Sequence, residues 1–481
     1  MRSETTRPGR ARPSAGPGRR GTATVAWLLA IALVALQGPP LARHPLTDDE
    51  RDYLAGAMSL ARDGTLAFAL PPRGEVARPS AYREPLYPAV LSIAWRLAGA
   101  VPESIASVGS DDGAGARARA TASWLHFALL LAGAGAAAGL ARAAGGGAIA
   151  QAAAFLLAGS SPALRFYGGE FACENLAAPL VSAATLALVA ARARESRGLF
   201  LVAGGLWSAA ALARAAFAPI GLAALALLGL AALAGERTAR RARLANVAWV
   251  ALALALPCAA WMARNAAATG FAVLADRGGS QLYLRTELGE TLARGEWRAA
   301  WLEWTPLEAA QARRRERYPA SEIADWRQSG AGNYYLRTWR LRAELAEALG
   351  SPLAADRELR RRALTRIAAE PLAQLAAAPP IAWRGLFAER SPPRALPFDL
   401  RLALGLLLAA ALAAGVLLAL RRRDPALGLV ALVALLAAAL HALASEGLPR
   451  YGVPLLPILW ALAAAVVARV WAERNSRRAR A

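Results

Sequence analysis

The chain has 481 residues, 56% of them hydrophobic, and carries a formal net charge of +22. Several apolar runs approach or exceed 18 residues, which excludes a large soluble core and indicates a polytopic helical membrane protein. The basic residues are all arginines and fall between the apolar runs rather than in one patch. Membrane topology and anionic headgroups explain that distribution, so we expect membrane lipids and no nucleic acid as partners.

A basic tail opens the chain, and a series of apolar runs follows it. Residues 1–22 are rich in Arg, Pro and Gly and are expected to be disordered and cytoplasmic. The first run lacks a convincing small-residue cleavage site and is interpreted as a retained helix. Ten runs are predicted to span the membrane, near residues 23–41, 119–141, 146–165, 175–192, 198–213, 216–234, 245–263, 401–420, 426–444 and 451–470.

An eleventh apolar run, residues 86–100, is short and carries Arg96. If it spanned the membrane, the basic segments at 192–198, 235–243, 421–424 and the C-terminal tail would be split between the two sides. If it lies along the outer surface, all four basic segments fall inside, as the positive-inside rule requires. We therefore predict ten spanning helices plus one interfacial helix, with both termini in the cytoplasm.

The predicted fold is all-α, a polytopic transmembrane bundle with a small helical extracytoplasmic subdomain. The long polar segment between the seventh and eighth spans has helical rather than alternating patterning. The predicted organisation is a tail at 1–22, an N-terminal transmembrane module at 23–263, an extracytoplasmic helical region at 264–400, C-terminal transmembrane helices at 401–472 and a basic cytoplasmic tail at 473–481. Cys173 and Cys258 both lie near predicted outer helix ends, and whether they pair stays open.

Polar residues that could do chemistry cluster at the predicted outer ends of the helices. The segment LTDDERDYLAGAMSLARDG places three consecutive acids where the chain leaves the membrane, and such a cluster needs a cation, a metal or a substrate beside it. Carboxylates can act as general bases or metal ligands, and guanidinium groups match phosphate oxygens. The candidate catalytic residues are Asp49, Glu50 and Glu174, and the candidate substrate-binding residues are Tyr53, Arg83, Tyr87, Arg264, Asn265, Arg450 and Tyr451.

Each of these residues also has a purely structural interpretation. The acids at 48–50 could serve only to start a helix, with Thr47 or Asp48 as its N-cap before an acidic first turn. Glu174 could likewise do no more than cap its own helix. Arg264 and Arg450 could be interfacial anchors. His44, beside the acidic cluster, could be a metal ligand, whereas His126 lies within an apolar helix and is better explained by packing.

The ordered set of motifs resembles the GT-C superfamily of membrane glycosyltransferases. The resemblance is strongest to the protein mannosyltransferase group, glycosyltransferase family 39, with its aminoarabinose and RgtA-type relatives. The motifs that carry it are TDDERDYLAGAMSLARDG, YREPLYPAVLSIAWRLAG, FYGGEFACENLAAPLVSAATLAL, GGLWSAAALARAAFAP, PCAAWMARNAAATGFAVLADRGGSQLYL and LPRYGVPLLPIL, from about residue 23 to 470. The chain departs from the family pattern at Arg214, which is followed by Ala215 instead of proline, and at Glu170, which competes with Glu174 as the second acid.

The resemblance implies a polyprenyl-phosphate sugar donor and a lipid, glycan or protein acceptor in the cell envelope. It also implies inversion at the anomeric carbon and an active site on the extracytoplasmic side of the cell membrane, with Asp49 as the base. Metal dependence varies in the superfamily, so no cofactor is assigned and a divalent metal stays open. The alternative from another class is a polytopic transporter or lipid flippase, which should place ionisable or broken-helix residues near mid-bilayer.

Overall fold

The computed structural model describes residues 17–40, 46–68, 78–109, 113–234, 236–305, 307–318, 333–386 and 398–480. Within those ranges the protein is helical and contains no β-strand, which confirms the all-α prediction. His44 and most of the predicted N-terminal tail lie outside the described residues.

The described residues up to Thr269 form eleven helices. They are α1 Pro17–Leu36, α2 Asp48–Asp63, α3 Leu86–Leu97, α4 Ile105–Val108, α5 Gly113–Ala143, α6 Ala148–Gly159, α7 Pro162–Gly168, α8 Glu174–Arg194, α9 Arg197–Ala213, α10 Phe217–Ala234 and α11 Arg237–Thr269.

The described residues after Thr269 form ten more α-helices and two short irregular ones. They are α12 Gly278–Thr291, a π-helix at Leu292–Glu296, α13 Trp297–Trp304, α14 Glu308–Arg317, α15 Tyr334–Ala348, α16 Pro352–Ala369, α17 Pro371–Leu386, α18 Phe398–Arg422, α19 Pro425–Ala444, α20 Pro449–Gly452, a 3₁₀ turn at Val453–Leu455 and α21 Leu456–Arg478.

Seven helical segments of the described chain are long and apolar enough to cross a membrane. They coincide with seven of the ten predicted spans. The other three predicted spans fall on shorter apolar segments, which are Gly21–Leu36 within α1, and the helices α6 and α9. The polytopic helical bundle expected from the sequence is therefore confirmed. The seven segments are Gly113–Ala143, Glu174–Arg194, Phe217–Ala234, Arg237–Thr269, Leu402–Arg422, Pro425–Ala444 and Arg450–Arg478.

The short helix α3 has the side-chain distribution of a surface helix. Its 12 residues extend about 18 Å, as do the 12 residues of α6, so the distribution of its side chains and not its length distinguishes it. Leu91 and Trp95 are fully buried, whereas Ile93 and Leu97 are exposed on the other face. This amphipathic helix fits the predicted interfacial position of residues 86–100.

Small residues allow the helices of the bundle to approach closely. A Cβ atom at Gly204 of α9 would lie 2.4 Å from the carbonyl oxygen of Val250 in α11, so only glycine fits this crossing. Close backbone approach of this kind is a main source of packing between membrane helices. The large indole rings of Trp207 and Trp460 fill the space that remains in the core.

The bundle has two chemically different ends. At one end, which we call the basic end, Arg469 of α21 donates to the Ala144 carbonyl (2.6 Å) and to the Asp424 carboxylate (2.5 Å). The turns near residues 194–197 and 422–425 and the start of α11 belong to this end. The other end, which we call the site end, carries α2, α3 and the helices α12–α17.

The helices α12–α17 are tied to the site end by buried polar contacts. Arg285 of α12 is 1% exposed and donates to the carbonyl oxygens of Ala442 in α19 and Gln374 in α17, each at 2.7 Å. Asp356 of α16 accepts from the backbone N–H groups of Gly279 (2.8 Å) and Ser280 (2.7 Å). A carboxylate at a helix N-terminus satisfies otherwise unpaired N–H groups and fixes α12 against α16.

Candidate functional site

The acidic segment forms the first turn of α2, and a capping box fixes that turn. The Thr47 hydroxyl accepts from the Glu50 N–H (3.3 Å), and the Thr47 N–H donates to the Glu50 carboxylate (2.8 Å). Such reciprocal bonds satisfy two of the free N–H groups at a helix start. The helix geometry then places Asp49 and Asp52, three residues apart, on one face.

The Glu50 side chain is used to connect two parts of the chain. It is 3% exposed, and its second carboxylate oxygen accepts from the backbone N–H of Phe171, at 3.1 Å. Phe171 lies in the turn before α8. Glu50 thus holds α2 against that turn as well as capping α2, in agreement with the structural interpretation of the acidic cluster, and its catalytic role stays a prediction.

Asp49 lies at the centre of a cluster of three guanidinium groups. Its carboxylate contacts Arg83 directly, Arg450 at 2.5 Å and Arg277 at 3.4 Å. Arg83 also donates to Asp52 from Nε (3.1 Å) and Nη2 (2.6 Å). Three distant parts of the chain therefore converge on one carboxylate, and two of the predicted arginines, Arg83 and Arg450, are among them.

The arginines determine the protonation of the two acids differently. Burial alone would raise the pKa of Asp49, but the charges of Arg450, Arg83 and Arg277 hold that pKa well below its usual range. Burial raises the pKa of Asp52, and its single close partner, Arg83, does not offset this. Asp49 is accordingly a strongly held anion in this arrangement.

The sequence interpretation did not identify Arg277. This arginine begins α12, and its guanidinium lies 5.3 Å from the ring centre of Tyr82 and 4.8 Å from that of Trp339. A cation between two aromatic faces is stabilised by about 0.5–2 kcal/mol. The rings hold the side chain toward Asp49, and because Trp339 belongs to α15, the helices beyond the bundle take part in building the site.

A chain of contacts joins Glu174 to Asp49. Glu174 is 5% exposed and accepts from Arg214 at 2.6 Å. The Arg214 guanidinium lies 4.4 Å from the ring centre of Tyr451, and the Arg450 guanidinium lies 5.5 Å from the same ring. Arg450 in turn binds Asp49. The two predicted acids therefore lie at the same end of the bundle.

The competing acid Glu170 is placed differently from Glu174. Glu170 is only half-buried, and its backbone carbonyl accepts from the Asn175 side chain at 2.9 Å. Glu174 is the acid that is buried in the contact chain to Asp49, which favours it over Glu170 as the second acid.

The two predicted tyrosines of this region pack beneath the cluster. The Tyr53 ring lies 5.1 Å from the Arg83 guanidinium and meets the Tyr87 ring edge-on at 5.3 Å. The Tyr87 hydroxyl is 2.9 Å from Nε2 of His126, whose Nδ1 lies 2.8 Å from the Gly168 carbonyl. The carbonyl requires an N–H at Nδ1, so Nε2 accepts from Tyr87. Tyr53 thus supports the cluster from below, whereas the Tyr87 hydroxyl is already bonded to His126.

Arg264 and Asn265 lie beside the cluster and shape its loops. Arg264 donates to the Ser80 carbonyl (3.0 Å) and to the Asn265 side chain (2.9 Å), while Asn265 donates to the Val273 carbonyl (2.7 Å). These bonds link the end of α11 to the segments that carry Arg83 and Arg277. Their roles in substrate binding stay predictions.

Another buried acid, Glu446, was not identified from the sequence. It is 1% exposed and accepts from the hydroxyls of Tyr334 and Tyr451, each at 3.3 Å. Burial raises the pKa of Glu446 in spite of the charges of Arg384 and Arg450. Through Tyr451, this acid is continuous with the contact chain between Glu174 and Asp49.

Neither a metal site nor a disulfide is formed by the part of the chain that the structure describes. Its His, Cys, Asp and Glu residues form no group of three that could hold an ion, and Asp49 and Asp52 already bind arginines. Cys173 and Cys258 are both buried and free.

No protein-family model and no curated protein matches this chain. Among solved structures, the apo crystal structure of the Archaeoglobus fulgidus oligosaccharyltransferase is similar with a TM-score of 0.50 and 15% identity, over 96% of this chain and 51% of that one. AglB from the same organism, in complex with an inhibitory peptide and a dolichol-phosphate, gives a TM-score of 0.49 and 14% identity, over 96% and 51%. Apo ArnT from Cupriavidus metallidurans gives a TM-score of 0.38 and 16% identity, over 94% of this chain and 78% of that one.

These similarities concern the fold. The chain spans about half the length of the oligosaccharyltransferase that it resembles. At 15% identity the comparison shows the fold alone: the chain has a fold similar to that of the Archaeoglobus fulgidus oligosaccharyltransferase, in agreement with the resemblance expected from the sequence.

Proposed function

We propose that this protein is a membrane glycosyltransferase that moves one sugar from a polyprenyl-phosphate donor to a cell-envelope acceptor at the extracytoplasmic face of the cell membrane. The observation that carries the proposal is the convergence of Arg83, Arg277 and Arg450 on the Asp49 carboxylate at the site end. The fold it shares with an oligosaccharyltransferase supports the same reaction class.

The charges of the cluster suit a phosphate. Three guanidinium groups face two carboxylates, Asp49 and Asp52, so the cluster carries an excess of positive charge. Guanidinium forks match phosphate oxygens, and such charge-assisted bonds are strong when shielded from water. Arg450 and Arg277 are the candidates for binding the donor phosphate, because Arg83 is already shared between both acids.

In the proposed reaction Asp49 is the general base. An acceptor hydroxyl gives its proton to the Asp49 carboxylate as its oxygen forms a bond to the anomeric carbon of the sugar. The bond from that carbon to the phosphate oxygen breaks, and its electron pair leaves with the polyprenyl phosphate. Attack opposite the leaving group inverts the anomeric centre, and Arg450 and Arg277 stabilise the charge that develops on the phosphate.

The arginines also link donor binding to the strength of the base. With three guanidinium groups on it, the Asp49 carboxylate is a weak base, since its pKa lies well below the usual range. A phosphate bound to Arg450 and Arg277 would neutralise two of these charges and raise the proton affinity of Asp49. The base would then become effective when the donor is in place.

The rival hypothesis of a transporter fits the charge distribution less well. A transport pathway is expected to carry ionisable residues near mid-bilayer, often at broken helices in repeated halves. Here Glu174 begins α8 and Arg214 follows the end of α9, so this buried pair lies at the helix termini.

The test is sugar transfer by membranes that contain the Asp49→Asn variant. Membranes given labelled polyprenyl-phosphate sugars should lose transfer, while the amount of folded protein stays near that of wild type. The matched control is Asp48→Asn, which removes the same charge from an exposed neighbour in the same helix turn. Transfer retained by Asp49→Asn would remove Asp49 from the mechanism, and equal loss in both variants would point to a general effect of charge.

A further inference from the structure

The basic end of the bundle contains a cavity that the proposed reaction does not use. It has a volume of about 180 Å³ and lies between the ends of α8, α10 and α11, bordered by the first turns of α9 and α19. This is the end opposite Asp49, so the cavity is separate from the candidate site.

The lining of the cavity combines cationic and apolar groups. Arg192 of α8 and Arg243 of α11 line it together with Asn246, and Glu195 is the one acid among its lining residues. The rest of the wall is apolar and is formed by Leu188, Phe200, Leu228, Ala231, Ala232, Val247 and Leu429.

The two arginines of the cavity have no partner among the described residues. Among the residues that the structure describes, neither Arg192 nor Arg243 makes a hydrogen bond or an ion pair, and both side chains are exposed at the cavity. Glu195 makes no ion pair with either of them. Two free guanidinium groups at one cavity are therefore available to an external anion, and Asn246 adds a neutral donor.

The position of the cavity favours a lipid as the source of that anion. The arginines lie at helix ends, where a membrane presents its headgroups, and the apolar wall continues into the lipid-facing part of the bundle at Ala231. Basic pockets between the ends of membrane helices bind the headgroups of anionic lipids. The cavity volume of about 180 Å³ is smaller than that of sites for drug-sized ligands, which begin at roughly 300 Å³, and it suits a small polar group such as a phosphate.

We infer that this cavity binds an anionic membrane phospholipid, with Arg192 and Arg243 on its phosphate and an acyl chain along Leu228 and Phe200. The surrounding charge supports an anionic lipid over a zwitterionic one. Arg194, Arg197 and Arg241 lie on the adjoining turns, so the local charge stays positive in spite of Glu195.

The test uses the full chain, purified in detergent and freed of lipid. Binding of short-chain phosphatidylglycerol, short-chain phosphatidylcholine and inorganic phosphate is titrated by thermal shift and by native mass spectrometry. Phosphatidylglycerol should bind, and the Arg192→Gln/Arg243→Gln variant should weaken that binding by about tenfold or more, which corresponds to about 1.4 kcal/mol or more. The matched control, Arg477→Gln/Arg478→Gln, removes the same charge from exposed arginines in the last turn of α21, outside the cavity, and should bind as wild type does.

A second variant keeps the charges and removes the space. Ala231→Trp places a large ring at the exposed edge of the cavity, and it should weaken phosphatidylglycerol binding even if the double arginine variant fails to fold. The inference is overturned if both arginine pairs weaken binding equally, which would indicate diffuse attraction. It is also overturned if Ala231→Trp binds the lipid normally, if inorganic phosphate competes as well as the lipid, or if phosphatidylcholine binds equally well.

Discussion

Asp276 should make the stability of the helices beyond the bundle depend on pH. This residue precedes Arg277 and is 5% exposed, and its backbone N–H donates to the Ala81 carbonyl at 2.8 Å. Its Oδ2 binds Arg342 at 3.0 Å, whereas its Oδ1 is buried without a hydrogen-bond partner in the described chain. Burial raises the pKa of Asp276 from 3.8 to about 7, against the opposing effect of Arg342.

The sign and size of the effect follow from this pKa. Between pH 4 and pH 7 the folded protein holds a proton on Asp276 that the unfolded chain has lost. Stability therefore falls as the pH rises through this range and is constant above it. The difference between 3.8 and about 7 corresponds to about 4 kcal/mol, at about 1.4 kcal/mol for each pH unit. The Asp276→Asn variant has no titrating group at this position, so it should not show this fall in stability between pH 4 and pH 7.

Hydrogen–deuterium exchange of α12 and α15 measures this local stability without global unfolding. Comparison of wild type with Asp276→Asn at each pH cancels the intrinsic pH dependence of exchange. Relative to the variant, the wild type should lose protection between pH 4 and pH 7. Asp63→Asn, which removes an exposed carboxyl from α2, is the control. If Arg342 instead keeps Asp276 ionised, the wild type will gain protection over the same range, and the reasoning from burial is refuted.

Three further predictions concern the supports of the site. Arg214→Gln should lower the free energy of unfolding by about 3–5 kcal/mol, because it leaves the buried Glu174 unpaired, and adding Glu174→Gln should restore most of the loss in a thermal-unfolding cycle. Gly279→Ala should cost about 1–3 kcal/mol in the same assay, since its Cβ would lie 1.9 Å from the Asp356 carbonyl oxygen; an unchanged melting temperature would contradict this contact. Glu50→Gln should lower the free energy of unfolding by about 1–3 kcal/mol and leave sugar transfer per folded molecule unchanged in assays with a labelled donor. Loss of transfer in fully folded protein would instead support a catalytic Glu50.

The sequence was sufficient to predict the helical bundle because bilayer thickness imposes long apolar runs. Charge asymmetry further predicts that α3 lies along the membrane surface, and the observed α3 has one buried and one exposed apolar face, which fits that prediction. The acids of α2 could be located for a related reason, since charged residues in an apolar chain are few and stand out. The side chain of Glu50 shows the limit of that signal, because adjacent acids in one turn point to different partners.

The partners of Asp49 could be predicted only in part. Arg83 and Arg450 lie in motifs that recur in the resembling family, so their positions carried information. Arg277 also lies in one of the motifs of that resemblance, but no charge or helix-end pattern there singles it out, and it is 228 residues from Asp49 in sequence. Asp52 did carry a signal, because residues at i and i+3 share a helix face, and the pair Asp49 and Asp52 satisfies that spacing.

The packing around Arg277 makes the charge near Asp49 depend on the helices beyond the bundle. Arg277 is held by Tyr82 from the loop before α3 and by Trp339 from α15, so its guanidinium reaches Asp49 only while α12 and α15 rest against the bundle. Arg83 and Arg450 lie outside α12 and α15, in the loop before α3 and in α20. A shift of α12 and α15 away from the bundle would therefore withdraw the Arg277 charge from Asp49. Because proton affinity rises as positive charge leaves a carboxylate, movement of these helices and binding of a donor phosphate would act on Asp49 in the same direction.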